Sequence, residues 1–510
     1  MHSTVRLWSL TDRIWAGGCW FLTFGVGKSG FFLIRMCSRL PDAVPNFCIF
    51  VSMNWRKGLL VLLAMSFLVR LVNITAPPLE RSHSWRQATG LMVARNFSNG
   101  DSNILRPQID ERADTTGHIN MEFPLLPWIH GQLGKWLGYS HWYSRLINLL
   151  FVTAGLWCFY LILARWHTER LAATATAVLT MSMWFSFGRK SMPDTFSCAI
   201  VLMGIEHVLR AMERGALWRW VVAAALLSIG ALSKLPAAVL MFPLPLLWRN
   251  ESTTNRMFLT LSGTVVLASV GWWYGYHGPK LGQEAGTWFH QGQSLAEALS
   301  SLGNHARELA DRFVFSALRT YTGFAAALLG LWTLVRHRAR WNQTMWGFSA
   351  LSIGCALLML RAGFYFHHHD YYIMPFVPAM ALIAAVGLET LPIRWASAIL
   401  ILIVLESGLN QQHDFWVPEG EKVKLNLVNL AQDQIPSGGH VVVIGEGNPL
   451  ELYLLNRKGW VHDPAVPFVS SQYTQHGPAW LLIPHRYAHE FQSPATLQYR
   501  DEDFALYNLN

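Results

Sequence analysis

The sequence is short of charge. Only 14% of its 510 residues are Asp, Glu, Lys or Arg, against about 25% in soluble domains. Hydrophobic residues make up 52% of the chain and the mean hydropathy is +0.25, which points away from a soluble globular protein and toward a membrane one. Cysteine is scarce as well. Cys19, Cys37 and Cys48 lie in an irregular leader, while Cys158, Cys198 and Cys355 lie inside apolar runs, so neither a disulfide framework nor a zinc spacing emerges. No internal repeat and no low-complexity segment is found. No small-residue cleavage site precedes a soluble domain, which argues against a cleaved signal peptide. The net charge of +9 sits in short clusters between apolar segments, a topology pattern rather than a nucleic-acid footprint. We expect no nucleic-acid partner.

What the chain has in quantity is apolar runs and tryptophan. Its 24 tryptophans suit a chain that meets lipid headgroups. A helix needs roughly 20 apolar residues to cross the hydrocarbon. That criterion predicts eleven spans, at 57–74, 145–164, 170–187, 193–212, 216–233, 235–248, 257–275, 319–335, 343–360, 371–389 and 393–409. The run 235–248 is short, as expected of a tilted or half-inserted helix. With residues before 57 inside, the inner loops carry Arg165 and Arg170, then Arg210, Arg214 and Arg219, and then Arg249 and Arg256. Arg336, Arg338 and Arg340 follow, and finally Arg394. All are short and basic, as the positive-inside rule requires. The long loops 75–144 and 276–318 and the tail then lie outside.

Three regions follow. Residues 1–52 are a leader of doubtful status. "IWAGGCWFLTFGVGKSGFFLI" has the apolarity of a span but is interrupted by glycines and Lys28. Met53 opens "MNWRKGLLVLLAMSFLVR", the pattern of a natural N-terminus, so the leader is expected to be an upstream start-site artefact. Residues 53–409 form the transmembrane domain. Residues 410–510 read as a small soluble α/β domain, with "HVVVIGEG" and "AWLLIP" as strands and "NPLELYLLNRKGW" as a helix running into a turn. The fold class expected is a polytopic α-helical membrane protein of about 11 helices with a small α/β C-terminal domain.

Ionisable residues near the membrane gather on one side. The first loop holds Glu80, His83, Arg86, Arg95, Asp110, Glu111, Asp114, His118 and Glu122. "GRKSMPD" gives Arg189, Lys190 and Asp194, "LSKLP" gives Lys234, and "RAGFYFHHHDYY" gives Arg361, His367 to His369, Asp370 and Tyr372. Such residues are expensive at membrane depth and mark a site or a cavity. Cations at a water–lipid boundary can hold a phosphate whose carbon chain stays in the membrane, and a neighbouring carboxylate can take a proton from an attacking hydroxyl. The expected chemistry is group transfer from a lipid-linked phosphate donor.

"PPLERSHSWRQATGLMVARNF", followed by "PQIDERADTTGHINMEFPLLPWIHGQLGKWLG", resembles the first loop of bacterial C-type (GT-C) glycosyltransferases. These are related to dolichyl-phosphate-mannose protein mannosyltransferases (family 39) and to lipid A aminoarabinose transferases. The resemblance continues through "SMPD", "SKLPA", "HDYYIMPFVPAMA" and "LYLLNRKGW". It implies a polyprenyl-phosphate sugar donor and usually inverting transfer. It also implies an integral protein of the cytoplasmic (inner) membrane, with its active site and C-terminal domain facing outside. The acceptor is a lipid, a glycan or a protein, and membrane lipids surround the spans. The chain departs from the pattern where many relatives carry Asp-Glu early in the first loop: here stand Arg86 and Gln87. Relatives with the "HSWRQA" variant often continue with Asp, where this chain has Thr89. The catalytic acid is therefore expected among Asp194, Glu122 and Asp110. Donor phosphate or substrate contacts are expected from His83, Arg86, Lys234, Arg361, His369, Asp370 and Tyr372.

Each residue also has a plain reading. Glu122 could cap the helix that follows, Asp194 could stabilise a helix dipole, Lys234 could snorkel, and Asp110 could sit on a solvated turn. Trp85 reads first as an interfacial anchor. "HHHD" invites a metal, but adjacent residues of extended chain point to opposite faces, so no metal ligands are expected, while participation of a divalent metal stays open. A flippase for lipid-linked sugars or a secondary transporter is the alternative function; the charges at one face and the absence of repeating halves weigh against it. A scaffold that has lost its base is the third.

Overall fold

A computed structural model describes residues 19–26, 32–39, 49–285, 293–489 and 495–510. Within the leader, β1 (Cys19–Val26), β2 (Phe32–Arg39) and β3 (Ile49–Met53) pair antiparallel in that order, so the described part of this stretch is strand rather than span. Helices then dominate: α1 (Trp55–Arg70), α2 (Ser84–Asn99), α3 (Leu125–Leu137), α4 (Tyr143–Leu163), α5 (Glu169–Met181), α6 (Pro193–Arg214) and α7 (Leu217–Ser233). After them come α8 (Thr253–Trp272), α9 (Tyr321–Arg336), α10 (Asn342–Ala362), α11 (Val377–Glu389) and α12 (Ile393–Gln411). The chain is an integral membrane protein.

Helical structure stands at each of the eleven expected places. Among the described residues, six helices are long and apolar enough to cross a bilayer, or seven when the bent pair Ala306–Ser316 and Tyr321–Arg336 counts as one. The shortfall has local causes. α5 begins at Thr168, whose side chain accepts from the Leu171 N–H, and stops at Ser182, whose hydroxyl turns back to Leu179 O. The expected span 170–187 is thereby cut at Met181. The short run after α7 is a 3-10 helix, Leu235–Met241, followed by one α turn, Leu244–Leu247. Beyond α8 the described residues of 276–318 lie largely in short helices.

Small residues set how closely the spans approach. α9 buries Gly323, Ala326, Ala327, Gly330 and Thr333, a stripe at helical spacing. A Cβ on Gly330 would lie 1.8 Å from Ile383 O of α11, so these two backbones touch, as small-residue seams in lipid allow. α5 is buried all round from Leu171 to Met181 and lies at the centre of the bundle.

The C-terminal sheet has the order β5 (Gly459–His462), β4 (His440–Ile444), β6 (Ala479–Pro484), β8 (Phe504–Asn508) and β7 (Thr496–Arg500). β4 runs parallel to β5 and β6, and β8 antiparallel to β6 and β7. The two strands expected here are present; the "GW" expected to end in a turn opens the edge strand β5. This domain is fused to the first loop. Gly459 N–H donates to Asp110 O at 2.9 Å, Ala113 N–H to Gly459 O at 3.2 Å, and Trp460 Nε1 to Asp114 Oδ1 at 2.8 Å. Leu91, Met92 and Phe97 of α2 share one apolar core with Val441, Leu452 and Leu482.

Candidate active site

The first loop carries α2, which packs on α3 and against the C-terminal domain. Arg86 and Gln87 in its first turn are buried. Arg86 is ion-paired with Glu122, and both side chains are almost fully buried. Glu122 is held by its neighbours: Trp273 Nε1 donates to Met121 O at 3.0 Å, and Phe123 N–H donates to Leu232 O at 3.1 Å. The N-cap of α3 is Pro124, so Glu122 turns into the protein and does not cap that helix.

Lys234 links two carboxylates. α7 ends at Ser233 and Lys234 takes an extended backbone. Its Nζ lies 3.8 Å from Glu122 Oε1 and 3.7 Å from Asp194 Oδ1, with the Tyr371 and Tyr372 rings at 5.5 and 5.8 Å. Asp194 sits in the first turn of α6 behind Pro193, where the helix dipole favours its charge while its side chain faces Lys234. It is buried, and its Oδ2 has no hydrogen-bond partner among the described residues. Two cations and two carboxylates thus form a formally neutral cluster.

A half-buried aromatic rim adjoins it. Trp85 lies 5.9 Å from the His369 ring, and His369 stacks on Tyr371 at 5.0 Å. Burial, with His368, His83 and Lys234 adding, pushes the His369 imidazole down to about 3, so it is neutral at physiological pH. His83 Nε2 and Asp370 Oδ1 are 2.9 Å apart, and Arg319 Nη2 donates to Asp370 Oδ2 at 2.6 Å.

Of the residues picked from the sequence, Arg86, Glu122, Asp194 and Lys234 meet in one cluster. Tyr372 borders it, and His83, His369 and Asp370 form the layer beside it. Asp110 lies elsewhere, bound to Arg95 Nη2 at 2.6 Å and Asn96 Nδ2 at 3.1 Å beneath the C-terminal domain. Arg361 is exposed in the last turn of α10 and makes no hydrogen bond or ion pair among the described residues. His367 and His368 fall in a short helix, Phe364–His368, and no group of three or more His, Cys, Asp or Glu that could hold a metal ion occurs among the described residues. Arg319 was not singled out from the sequence, because it opens an apolar run and reads as its boundary. Thr320, which caps α9, was the available signal.

Compared with known proteins, the architecture is shared. The structure superposes on ArnT from Cupriavidus metallidurans in the apo state with a TM-score of 0.64 at 12% identity, covering 89% of this chain and 98% of that one. The chain has the C-type glycosyltransferase fold. The same ArnT bound to undecaprenyl phosphate gives a TM-score of 0.61 at 13% identity, over 89% and 98% of the two chains. AglB, the oligosaccharyltransferase from Archaeoglobus fulgidus in complex with an inhibitory peptide and a dolichol-phosphate, gives 0.56 at 11% identity, over 85% and 70%. Residues 122–274 match the family model described as dolichyl-phosphate-mannose-protein mannosyltransferase. That segment runs from Glu122 through Asp194 and Lys234, three of the four clustered charges of this GT-C fold. The resemblance read from the first loop and the later motifs is thus borne out. No curated protein matches the sequence.

Proposed function

We propose that the chain is a membrane glycosyltransferase that moves a sugar from a polyprenyl-phosphate donor to an acceptor on the outer face of the cytoplasmic membrane, with inversion. The observation that carries this reading is the buried cluster Arg86–Glu122–Lys234–Asp194, with one carboxylate oxygen, Asp194 Oδ2, lacking a partner. The donor phosphate competes with Glu122 and Asp194 for Arg86 and Lys234, since guanidinium and ammonium groups bind phosphate at least as well as carboxylate. That exchange loosens Asp194 from Lys234 and leaves it free to accept the proton of the acceptor hydroxyl. The hydroxyl oxygen attacks the anomeric carbon as the carbon–oxygen bond to phosphate breaks, and the two cations stabilise the departing phosphate. Glu122 keeps Arg86 and Lys234 in place between turnovers.

The fold and the family-model match support the transferase class; the basic inner loops support the orientation. Replacing Asp194 with Asn is expected to lower transfer by about 10²–10⁴-fold, the usual contribution of a general base, with donor-lipid binding retained. Glu122→Gln should lower it less. Normal transfer in Asp194→Asn would remove Asp194 as the base.

A further inference from the structure

Few of the described residues other than glycine adopt left-handed backbone. Five do so among the described residues: Asn73, His83, Arg112, Arg319 and Asn456. Such a conformation is uncommon for side chains other than Asn, Asp and His, and least expected for one like Arg319; it persists where surroundings hold it. Two of the five, His83 at φ 63° and Arg319 at φ 56°, are far apart in sequence yet contact the same carboxylate. Asp370 Oδ1 takes His83 Nε2 and Asp370 Oδ2 takes Arg319 Nη2, with all three side chains about 15% exposed.

One turn leads directly into an element of the site, and the other into a helix whose preceding residue, Arg319, reaches it. His83 is the residue before α2, whose first turn carries Arg86. Arg319 precedes Thr320, the N-cap of α9. That turn is fixed from α12 as well: Glu406 accepts from Tyr321 N–H at 2.8 Å, from Thr322 N–H at 3.2 Å and from the Thr320 hydroxyl, while Asn410 Nδ2 donates to Arg319 O at 3.0 Å. Asp370 opens the 3-10 helix Asp370–Phe376, which carries Tyr371 and Tyr372 against Lys234. The Tyr371 ring also meets His83 edge-on at 5.1 Å.

We infer that Asp370 is the positioning residue of the site. Its two oxygens hold the left-handed turns at His83 and Arg319, and through them fix where Arg86 and Tyr372 stand about Lys234. Its effect passes through these neighbours. The consequence for donor binding rests on the proposed transferase reading; the clamp itself does not.

Two measurements on the purified full chain keep these parts distinct. Hydrogen exchange at the backbone amides of 84–87 and 320–323 should quicken in Asp370→Asn and return toward the wild-type rate in Asp370→Glu, which retains both acceptor oxygens. Unchanged exchange in Asp370→Asn overturns the clamp. Binding of undecaprenyl phosphate, followed well below the unfolding midpoint, should weaken by about tenfold in Asp370→Asn, the scale of one lost charge-assisted hydrogen bond, and recover in Asp370→Glu. Equal affinity in wild type and Asp370→Asn, with a lowered unfolding midpoint, makes Asp370 merely a stabilising residue and overturns the positioning role. Absence of binding by the wild type rejects the donor-site reading and the binding consequence with it, while the exchange result still decides the clamp.

Discussion

At the scale of single residues, two charged residues picked from the sequence, Asp110 and Lys234, have different surroundings. Asp110 has both oxygens bonded and faces Arg95, whose guanidinium also donates to Tyr453 O at 2.9 Å and lies 4.6 Å from the Tyr453 ring. Breaking a buried ion pair from one side costs about 3–5 kcal/mol. Asp110→Asn is therefore expected to lower the thermal unfolding midpoint strongly while leaving transfer per folded molecule near wild type; lost transfer at unchanged stability would show that Asp110 acts in the chemistry. Lys234 gives the opposite expectation. Lys234→Met leaves Glu122 and Asp194 with one cation in place of two, and a charge-assisted contact to phosphate is worth about 1.5–3 kcal/mol. Affinity for undecaprenyl phosphate should fall at least tenfold, and a variant that binds it as well as wild type would mean that Lys234 only snorkels.

At the scale of elements, the turn between α3 and α4 couples stability to pH. His141 Nδ1 and Tyr139 OH both meet Tyr453 OH, at 2.6 and 2.8 Å, and the His130 ring stacks on Tyr139 at 5.0 Å. Burial lowers His141 to about 4 and His130 to about 3, from an ordinary 6.5. Between those values and 6.5 the unfolded chain binds more protons than the folded one, so stability rises with pH across that window. It is fully present above about 6.5 and is lost as pH falls toward 4. The unfolding midpoint of wild type should drop between pH 7 and pH 4.5 by more than that of His141→Gln; parallel curves would remove His141 from the account. The elements themselves were legible in part. Apolar runs located helical structure at each of the eleven expected places, because burial in lipid demands length and little else, but not α2, α3 or the short helices within 278–316. The break at Ser182 was not legible, since it depends on a side chain turning back to the backbone. Nor was the pairing of the first loop with β5, because backbone hydrogen bonds at a sheet edge leave little trace in side-chain identity. Charges that interrupt the ends of apolar runs, as at Arg86, Asp194 and Lys234, are the ones the fold brings together. The sequence did not show that Asp110, a polar loop residue, lies apart from them in a buried pair, or that Arg319, flush with a span, reaches Asp370.

At the scale of the whole molecule, charges from α2, from the loop before α3, from the start of α6 and from the end of α7 reach one cluster, although they span residues 86 to 234. The helices supply rigid supports, the first loop and the C-terminal domain share a core, and the spans pack through small residues. Such an assembly makes sense for handling a donor that is half lipid and half polar. The most direct measurement is transfer of label from a panel of radiolabelled polyprenyl-phosphate sugars to membrane-extract acceptors by the purified wild type, beside Asp194→Asn. The account predicts transfer from at least one donor by the wild type and its near-complete loss in the variant. No transfer from any donor, together with movement of sugar or solute across proteoliposomes, would contradict it.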